Sequence, residues 1–240
     1  METIAVKEKR NAKIVAHRGL SGIERENTLP AFAAACNRDY YGIECDVHVT
    51  SDKKYVVYHD DDTGRLCDKK VVLEQSDFAC LRSLRIKEAG KDNFSGALVI
   101  PALEEYLQML ARYGKTAVIE LKNAMAKSDI AEIIGICKAV YDLNNIIFIS
   151  FSYENLVAVR ELLPEQKVQY LTCEFDEELI GKLKRYSMDL DIYYTALTEE
   201  NVKKLHENGI VINCWTCDDP AAAEKLAAWG VDMITSNILQ

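Results

Sequence analysis

The sequence lacks the features that mark membrane, secreted and nucleic-acid-binding proteins. None of its apolar runs reaches the roughly 18 residues that cross a bilayer. The opening residues, METIAVKEKRNAK, contain no apolar core of signal-peptide length. The formal net charge is −9, whereas a nucleic-acid surface requires a basic patch. We therefore expect a cytoplasmic protein without stable membrane insertion and without a nucleic-acid partner.

The eight cysteines form no recognisable disulfide or metal framework, because they are scattered and several lie inside apolar runs. Cys214 and Cys217 spell a C-x-x-C, but no second such pair and no paired histidines supply the remaining zinc ligands. A redox pair usually opens a helix, and this pair ends a predicted strand. The sequence therefore predicts mostly buried thiols.

Short apolar runs alternate with amphipathic segments along the whole chain. The predicted strands are 13–16, 42–49, 116–121, 146–151, 168–172, 190–194, 210–215 and 232–235. The predicted helices include 128–141, 153–163, 176–186, 199–207 and 219–229. This alternation indicates a parallel sheet, and eight strands favour a TIM-type (β/α)8 barrel over an open sheet. The chain ends about five residues after the eighth strand, which leaves no room for an eighth helix. The first dozen residues could cover that part of the barrel instead, which the sequence does not decide.

One long segment, 61–100, interrupts this alternation after the second strand. Ordinary βα loops have about 2–6 residues, so this segment is an insertion. Within it, Ser76 is in position to cap a short helix that places Phe78, Leu81 and Leu84 on one face. No internal repeat, low-complexity tract or linker divides the chain. We therefore expect one domain over 1–240, with the insertion overhanging the active face.

Chemistry-bearing residues follow apolar runs in the first quarter of the chain. His17 follows Ile14-Val15-Ala16, Glu44 follows Gly42-Ile43, and His59 follows Val56-Val57-Tyr58. Catalytic residues of α/β barrels lie at the carboxyl ends of strands. An acid/base pair, a fixed cation and hard-metal ligands are the groups needed to cut a phosphate ester.

These residues carry a resemblance to a known family. His17-Arg18-Gly19, Glu26-Asn27-Thr28-Leu29, Glu44-x-Asp46 and Val56-Val57-Tyr58-His59-Asp60 occur in the order of the signature of the glycerophosphodiester phosphodiesterases. Later segments are similar too, namely Ile100-Pro101-Ala102-Leu103-Glu104-Glu105, Glu120-Leu121-Lys122, Trp215-Thr216 and Gly230-Val231-Asp232. The resemblance covers roughly residues 12 to 237. It implies a barrel enzyme, a phosphoric diester hydrolase, whose insertion after the second strand lies over the active site.

A metal site is expected at Glu44, Asp46 and Glu120. Glu44 and Asp46 are two residues apart on one strand and point to the same face, and Glu120 lies beside them if the barrel forms. Converging carboxylates repel one another unless a cation lies between them. Oxygen ligands alone select a hard ion, so we expect Mg²⁺ or Ca²⁺.

The remaining site residues are a histidine pair and two cations. His17 and His59 are expected to act as general acid and general base, in an order that the sequence leaves open. It also leaves open whether water or the glycerol 2-hydroxyl attacks first. Arg18 and Lys122 are expected to bind the substrate phosphate. Trp215 either lines the pocket or has a purely structural role.

Three functions compete at this point. The first is metal-dependent hydrolysis of small-molecule glycerophosphodiesters to glycerol 3-phosphate and an alcohol. The second is a lysophospholipase D, which requires an exposed apolar rim, whereas the insertion is mostly polar. The third is a non-catalytic barrel that binds a phosphorylated ligand, yet none of the expected positions is substituted. The sequence favours the first and leaves open the headgroup, the metal and whether the protein forms a homo-oligomer.

Overall fold

A computed structural model of the chain describes residues 2–240, so that only Met1 of the expected domain lies outside the described residues. The strands of this range are β1 (Lys13–Ala16), β2 (Gly42–Val49), β3 (Tyr55–Val57), β4 (Ile86–Lys87), β5 (Phe94–Ser95), β6 (Thr116–Leu121), β7 (Ile146–Ser150), β8 (Lys167–Thr172), β9 (Asp189–Tyr193), β10 (Ile212–Trp215) and β11 (Met233–Ser236). The helices are α1 (Leu29–Cys36), α2 (Phe78–Ser83), α3 (Leu103–Tyr113), α4 (Lys127–Val140), α5 (Tyr153–Leu162), α6 (Leu179–Arg185), α7 (Glu199–Glu207) and α8 (Pro220–Trp229).

Eight parallel strands close into a ring. Their order around it is β1, β11, β10, β9, β8, β7, β6 and β2, and β2 pairs back onto β1. β3 lies outside the ring and pairs with β2 in the antiparallel sense. The predicted TIM-type barrel is therefore confirmed, and its ring places β9 opposite β2.

Alternation along each strand separates an apolar layer from the barrel interior. On β2, Ile43, Cys45 and Val47 belong to the main core between sheet and helices, while Glu44 and Asp46 point the other way, into the barrel. A smaller apolar cluster fills the interior, formed by Val15, Val118, Ile147, Ile149, Leu171 and Met233. The barrel is thus a packed structure, and its polar interior side chains are exceptions that require an explanation.

The chain ends meet beside β11. As the sequence predicts, no helix follows β11 within the described residues. Ile4 instead bridges Leu239, and the amide of Val6 donates to the carbonyl of Gln240 at 2.8 Å. Val6 is buried in the main core, so the N-terminal residues do cover part of the barrel wall.

Local capping sets the ends of the helices that surround the barrel. The Asp219 carboxylate accepts the amide of Ala221 at 2.8 Å, and Pro220 occupies the first helical position of α8. Gly230 ends α8 with a φ of 100°, a left-handed conformation that favours glycine. Among the described helices, none is long and apolar enough to cross a membrane.

The insertion folds around a small apolar cluster of its own. Leu73, Leu81, Leu84 and Ile86 are buried in it together with Val56 of β3. The predicted short helix is present as α2, with Leu81 and Leu84 buried as expected. The predicted cap is wrong by one residue: the side chain that accepts the Cys80 amide, at 2.7 Å, belongs to Asp77. Ser76 instead ends the preceding 3-10 turn, Leu73–Gln75.

All eight cysteines are free thiols, and six of them are buried. Cys214 and Cys217 are among the buried ones, and burial raises the pKa of Cys217 to about 11. Neither belongs to a metal-ligand cluster in the described part of the chain. This agrees with the expectation of buried thiols.

Candidate active site

A cavity opens at the carboxyl ends of the barrel strands, and the space between its walls, open solvent included, is about 370 Å³. Its walls are formed by His17, Arg18, Glu44, His59, Glu120, Ile149, Phe151, Leu171, Asp191, Trp215 and Thr235. Six of the eight predicted site residues are therefore in its lining. The other two, Asp46 and Lys122, adjoin it, because Lys122 Nζ lies 3.0 Å from Glu120 and 3.5 Å from Asp46.

The three predicted metal ligands converge on one point. Glu44, Asp46 and Glu120 each offer a carboxylate oxygen, and these oxygens lie within 4.8 Å of one another. Glu44 Oε1 and Asp46 Oδ1 are buried without a hydrogen-bond partner. Burial and the charge of Asp46 raise the pKa of Glu44 well above its ordinary value and that of Glu120 to about 7. Unsatisfied, closely spaced oxygens of this kind fit a hard divalent cation.

Two cations partly neutralise these carboxylates. The sequence did not reveal these ion pairs. Arg18 Nε lies 3.4 Å from Asp46 Oδ2, and Lys122 Nζ contacts both Asp46 and Glu120. Burial opposes ionisation of Asp46, yet Arg18 and Lys122 hold its pKa at about 2. When all three carboxylates are ionised, their charge exceeds that of the two cations, and a bound divalent ion would offset the excess.

Backbone geometry around Arg18 brings these groups together. Arg18 has a φ of 53° and Gly19 a φ of 76°. A Cβ on Gly19 would lie 2.7 Å from the carbonyl carbon of Ala31, so only glycine fits there. The turn directs the Arg18 amide at Glu44 Oε2, 2.8 Å away. Asn27, also at a φ of 53°, donates from Nδ2 to Asp46 Oδ2 at 2.7 Å and so orients that carboxylate as well as the loop.

His17 is oriented by residues from the end of the chain. Its Nδ1 lies 2.8 Å from Asn237 Oδ1, and Asn237 Nδ2 donates to Asp218 Oδ2 at 2.6 Å. Because Asp218 fixes the direction of the amide, Nδ1 of His17 must be the donor and Nε2 carries the lone pair. That Nε2 is 4.0 Å from Glu44 Oε2. Burial, with Arg18 adjacent, lowers the pKa of His17 to about 4.

His59 is oriented by a carboxylate instead. Its Nδ1 lies 2.7 Å from Asp60 Oδ1, which leaves Nε2 for the cavity. Burial lowers the pKa of His59 below its ordinary value, while Asp46 and Asp60 oppose that shift. His48, which the sequence analysis did not assign to the site, is buried behind this loop, with Nε2 3.3 Å from the His59 carbonyl oxygen.

One residue of the insertion, Arg65, contacts two acidic residues that adjoin the site. Its guanidinium donates to both oxygens of Asp60 at 2.6 and 3.0 Å, and to both oxygens of Glu26 at 2.8 Å. Glu26 in turn accepts from Arg18 Nη1 at 2.8 Å. No residue of 61–100 lines the cavity, as far as the chain is described. The insertion therefore braces the residues behind His59 and Arg18, and the expected overhang above the cavity is not seen.

An aromatic group forms the opposite rim. Trp215 packs against Phe151 and Tyr193, with ring centroids 5.6 and 5.5 Å apart. Phe151 is 46% exposed and Tyr193 39%. Trp215 lines the cavity, which agrees with one of its two expected roles.

Among the residues of this arrangement without a predicted role are Asn237, Asp218, Arg65 and Asp191. Three of them act through contacts between distant parts of the chain, which no local sequence pattern indicates. Only Asp191 had a local signal, because it interrupts the apolar strand Leu190-Asp191-Ile192. Such an acidic residue in a buried strand indicates a position that faces the barrel interior.

Comparison with known proteins gives a consistent result. The sequence model of the glycerophosphoryl diester phosphodiesterase family matches residues 17–239. YhdW of Bacillus subtilis (strain 168) is 33% identical in an alignment 239 residues long that covers 93% of each chain. A glycerophosphodiester phosphodiesterase of the same strain is 28% identical over 93% of this chain and 82% of its own.

Solved structures have the same fold. A phosphodiesterase of Oleispira antarctica, in complex with the product sn-glycerol-3-phosphate, superposes with a TM-score of 0.88 at 24% identity, over 98% of this chain and 96% of its own. A glycerophosphodiester phosphodiesterase of Parabacteroides distasonis ATCC 8503 gives a TM-score of 0.81 at 28% identity, over 95% and 93%. The protein is thus a phosphoric diester hydrolase and belongs to the glycerophosphoryl diester phosphodiesterase family.

Proposed function

We propose that the protein hydrolyses glycerophosphodiesters to sn-glycerol 3-phosphate and an alcohol, with a divalent metal ion and a histidine acid/base pair. One observation carries this proposal: two histidines, an arginine and two of three clustered carboxylates line a single cavity. Related proteins of the same length are named glycerophosphodiester phosphodiesterases, which supports the substrate class.

The metal site fits this chemistry. Glu44, Asp46 and Glu120 would hold the ion, Mg²⁺ or Ca²⁺, which when bound polarises a phosphate oxygen as a Lewis acid. Asn27 holds Asp46 in the orientation that this requires. Asn27 is thus a positioning residue for the ligand set.

Arg18 and Lys122 bind the non-bridging phosphate oxygens. Both are anchored by carboxylates of the site, Arg18 by Glu26 and Lys122 by Glu120, at 2.8 and 3.0 Å. Anchored cations are already oriented, so that little side-chain entropy is lost when the phosphate binds. Their positive charge also stabilises the negative charge that develops on the phosphate oxygens during the reaction.

The two histidines divide the proton transfers. His17 accepts the proton of the attacking hydroxyl at Nε2, because an amide partner and burial keep its imidazole neutral. His59 donates a proton from Nε2 to the leaving alkoxide, because the Asp60 carboxylate stabilises its protonated form. If water attacks, this division covers the whole reaction. If the glycerol 2-hydroxyl attacks, it covers formation of the cyclic phosphate, and the two roles exchange when water opens the ring.

A second candidate activity, on lysophospholipids, is favoured by the exposed aromatic rim. Phe151 and Tyr193 are among the few exposed large apolar side chains in residues 2–240, and both border the cavity side of Trp215. An acyl chain would contact this rim. The mostly polar insertion lies on the other side of the cavity, next to Arg18 and His59.

In this proposal residues 1–240 act as one catalytic domain, with 61–100 as an insertion that supports the site. The cytoplasmic location and the absence of a nucleic-acid partner stay predictions, as does the state of oligomerisation.

A substrate panel tests the proposal. Purified protein with Mg²⁺ should release glycerol 3-phosphate from glycerophosphocholine, glycerophosphoethanolamine and glycerophosphoglycerol, measured with a coupled glycerol-3-phosphate dehydrogenase assay. Lysophosphatidylcholine should react with a lower kcat/KM, because the exposed apolar surface available to an acyl chain at the rim is limited to the rings of Phe151 and Tyr193. The double variant His17→Ala/His59→Ala controls for contaminating activity. Absence of glycerol 3-phosphate from all three diesters would refute the proposed substrate class.

The role of the insertion gives a separate prediction. Arg65→Met should lower kcat about 10–100-fold, the usual effect of losing a residue that orients the groups in contact with a metal or substrate. The reason is that Asp60 and Glu26 both lose their main partner, so that His59 and Arg18 are less well oriented. Steady-state kinetics with glycerophosphocholine measures the effect.

Arg85→Met is the matched control for that variant. Arg85 also lies in the insertion and pairs with Asp68 at 2.9 Å, but it has no contact with the site. If the two variants lose activity equally, the contribution of Arg65 is general stability rather than orientation.

A further inference from the structure

Asp191 is a carboxylate that the proposed reaction does not use, although it lines the same cavity. It lies on β9, is 2% exposed, and its Oδ1 is buried without a hydrogen-bond partner. Burial, reinforced by the charge of Glu120, raises the pKa of Asp191 well above its ordinary value. A buried and unsatisfied carboxyl group destabilises a fold, so it usually has a functional reason.

Its place in the ring separates Asp191 from the metal ligands. β9 is four strands from β2 in either direction, through β6, β7 and β8 or through β1, β11 and β10. It is therefore opposite Glu44 and Asp46, and it is not part of the cluster whose oxygens lie within 4.8 Å. A ligand that contacts both the cations near β2 and Asp191 must cross the cavity.

Asn213 lies beside Asp191 on β10, and its side chain opposes the rise of the Asp191 pKa, but Asp191 Oδ1 has no hydrogen-bond partner. Asn213 donates from Nδ2 to Gln169 at 3.4 Å and accepts from Thr235 Oγ1 at 3.1 Å. The neighbouring strand β10 carries the other unpartnered polar atom on this side of the cavity, Trp215 Nε1, a donor. An acceptor and a donor on adjacent strands are the two partners that one hydroxyl group needs.

We propose that Asp191 binds a hydroxyl group of the substrate's glycerol moiety and thereby makes the enzyme selective for glycerol diesters. The inference rests on the proposed function and deepens it. With the phosphate held by Arg18 and Lys122, the glycerol carbons extend across the cavity toward β9, between Ile149 and Leu171. The hydroxyl donates to Asp191, and the alcohol headgroup leaves through the open side.

Binding measurements test this assignment without depending on turnover. Isothermal titration in Mg²⁺ compares sn-glycerol 3-phosphate with propyl phosphate, which has the same carbon chain without its two hydroxyl groups. Wild-type protein should bind glycerol 3-phosphate about 10-fold more tightly, the usual net worth of one hydrogen bond. Asp191→Leu should lose this preference because glycerol 3-phosphate binds more weakly, while the Kd of propyl phosphate stays unchanged.

Two further variants separate the loss of the carboxylate from a general effect on folding. Asp191→Asn preserves the shape and a hydrogen-bonding group, so it should fold normally and retain part of the preference. Asp189→Asn is the matched control, because Asp189 lies on the same strand and accepts the Val211 amide at 2.9 Å outside the cavity lining. It should keep the full preference.

Three results would overturn the inference. They are an equal affinity of wild-type protein for both ligands, a preference that survives in Asp191→Leu, and an equal loss of affinity for both ligands in that variant. A lower Mg²⁺ affinity of Asp191→Asn would likewise assign Asp191 to the metal site instead. Hydrolysis of glycerophosphocholine by wild-type protein is measured in parallel. If hydrolysis occurs while the preference for glycerol 3-phosphate over propyl phosphate is absent, only the role of Asp191 fails. If no diester is hydrolysed, the proposed function itself fails.

Discussion

Chelation of divalent cations should abolish hydrolysis, and Mg²⁺ or Ca²⁺ should restore it. Asp46→Asn should lower kcat/KM by roughly 10³-fold or more, because Lewis-acid stabilisation is worth several kcal/mol and each ~1.4 kcal/mol changes the rate tenfold. Asp46 is the central position, since it contacts Arg18, Lys122 and Asn27 as well as the ligand cluster. Activity titrations in EDTA with added metal measure the first effect, and calorimetric metal titrations of the variant measure the second.

Glu132→Gln is the control for the metal experiment, because Glu132 is exposed on α4, outside the cavity lining. It should retain wild-type activity and metal affinity. Bound metal should also raise the thermal midpoint of wild-type protein, by an amount that grows with the logarithm of its concentration divided by its Kd. Full activity in excess chelator would contradict the metal assignment, whatever the behaviour of the variants.

Loss of either cavity histidine should have the next largest effect. His17→Ala and His59→Ala should each lower kcat about 10²–10⁴-fold, the usual worth of a positioned acid or base. The Kd of glycerol 3-phosphate should change little, because neither imidazole is a phosphate anchor in the proposal. His206→Ala, which removes an exposed histidine paired with Asp232 at 3.0 Å, is the control.

The leaving group distinguishes the roles of the two histidines. A diester that releases p-nitrophenolate needs no protonation of the leaving oxygen, so it should recover most of the activity lost in His59→Ala and little of that lost in His17→Ala. The opposite pattern would exchange the two roles. Wild-type turnover by either variant would make that histidine structural.

The fold could be predicted because its determinants are local. Strand and helix patterns alternate along the chain. Each predicted element is present, and its observed ends lie within about three residues of the predicted ones. For α7 and β2 the predicted and observed bounds are identical. The two-residue spacing of Glu44 and Asp46 determines that both face one side of a strand. Closure of the ring then brings Glu120 beside them, as expected.

The groups that orient the catalytic histidines could not be predicted in the same way. Asn237 meets His17 only because the last strand pairs with the first, across 220 residues of sequence. Arg65 reaches Asp60 and Glu26 only because the insertion folds back on its own apolar cluster. The position of the insertion after the second strand suggested a cover over the cavity, yet position in the sequence does not determine the direction in which a folded segment packs.

The pairing of β1 with β11 has a consequence for how the site depends on the end of the sequence. These two strands share four residue pairs, and the Asp218 side chain, which follows β10, accepts hydrogen bonds from Ser236 and from Asn237. The tautomer of His17 is therefore set where the ring closes, by residues from the last two strands of the barrel. The carboxylates on β2 and β6 have no such dependence, so the proton acceptor and the metal site are built by separate parts of the ring.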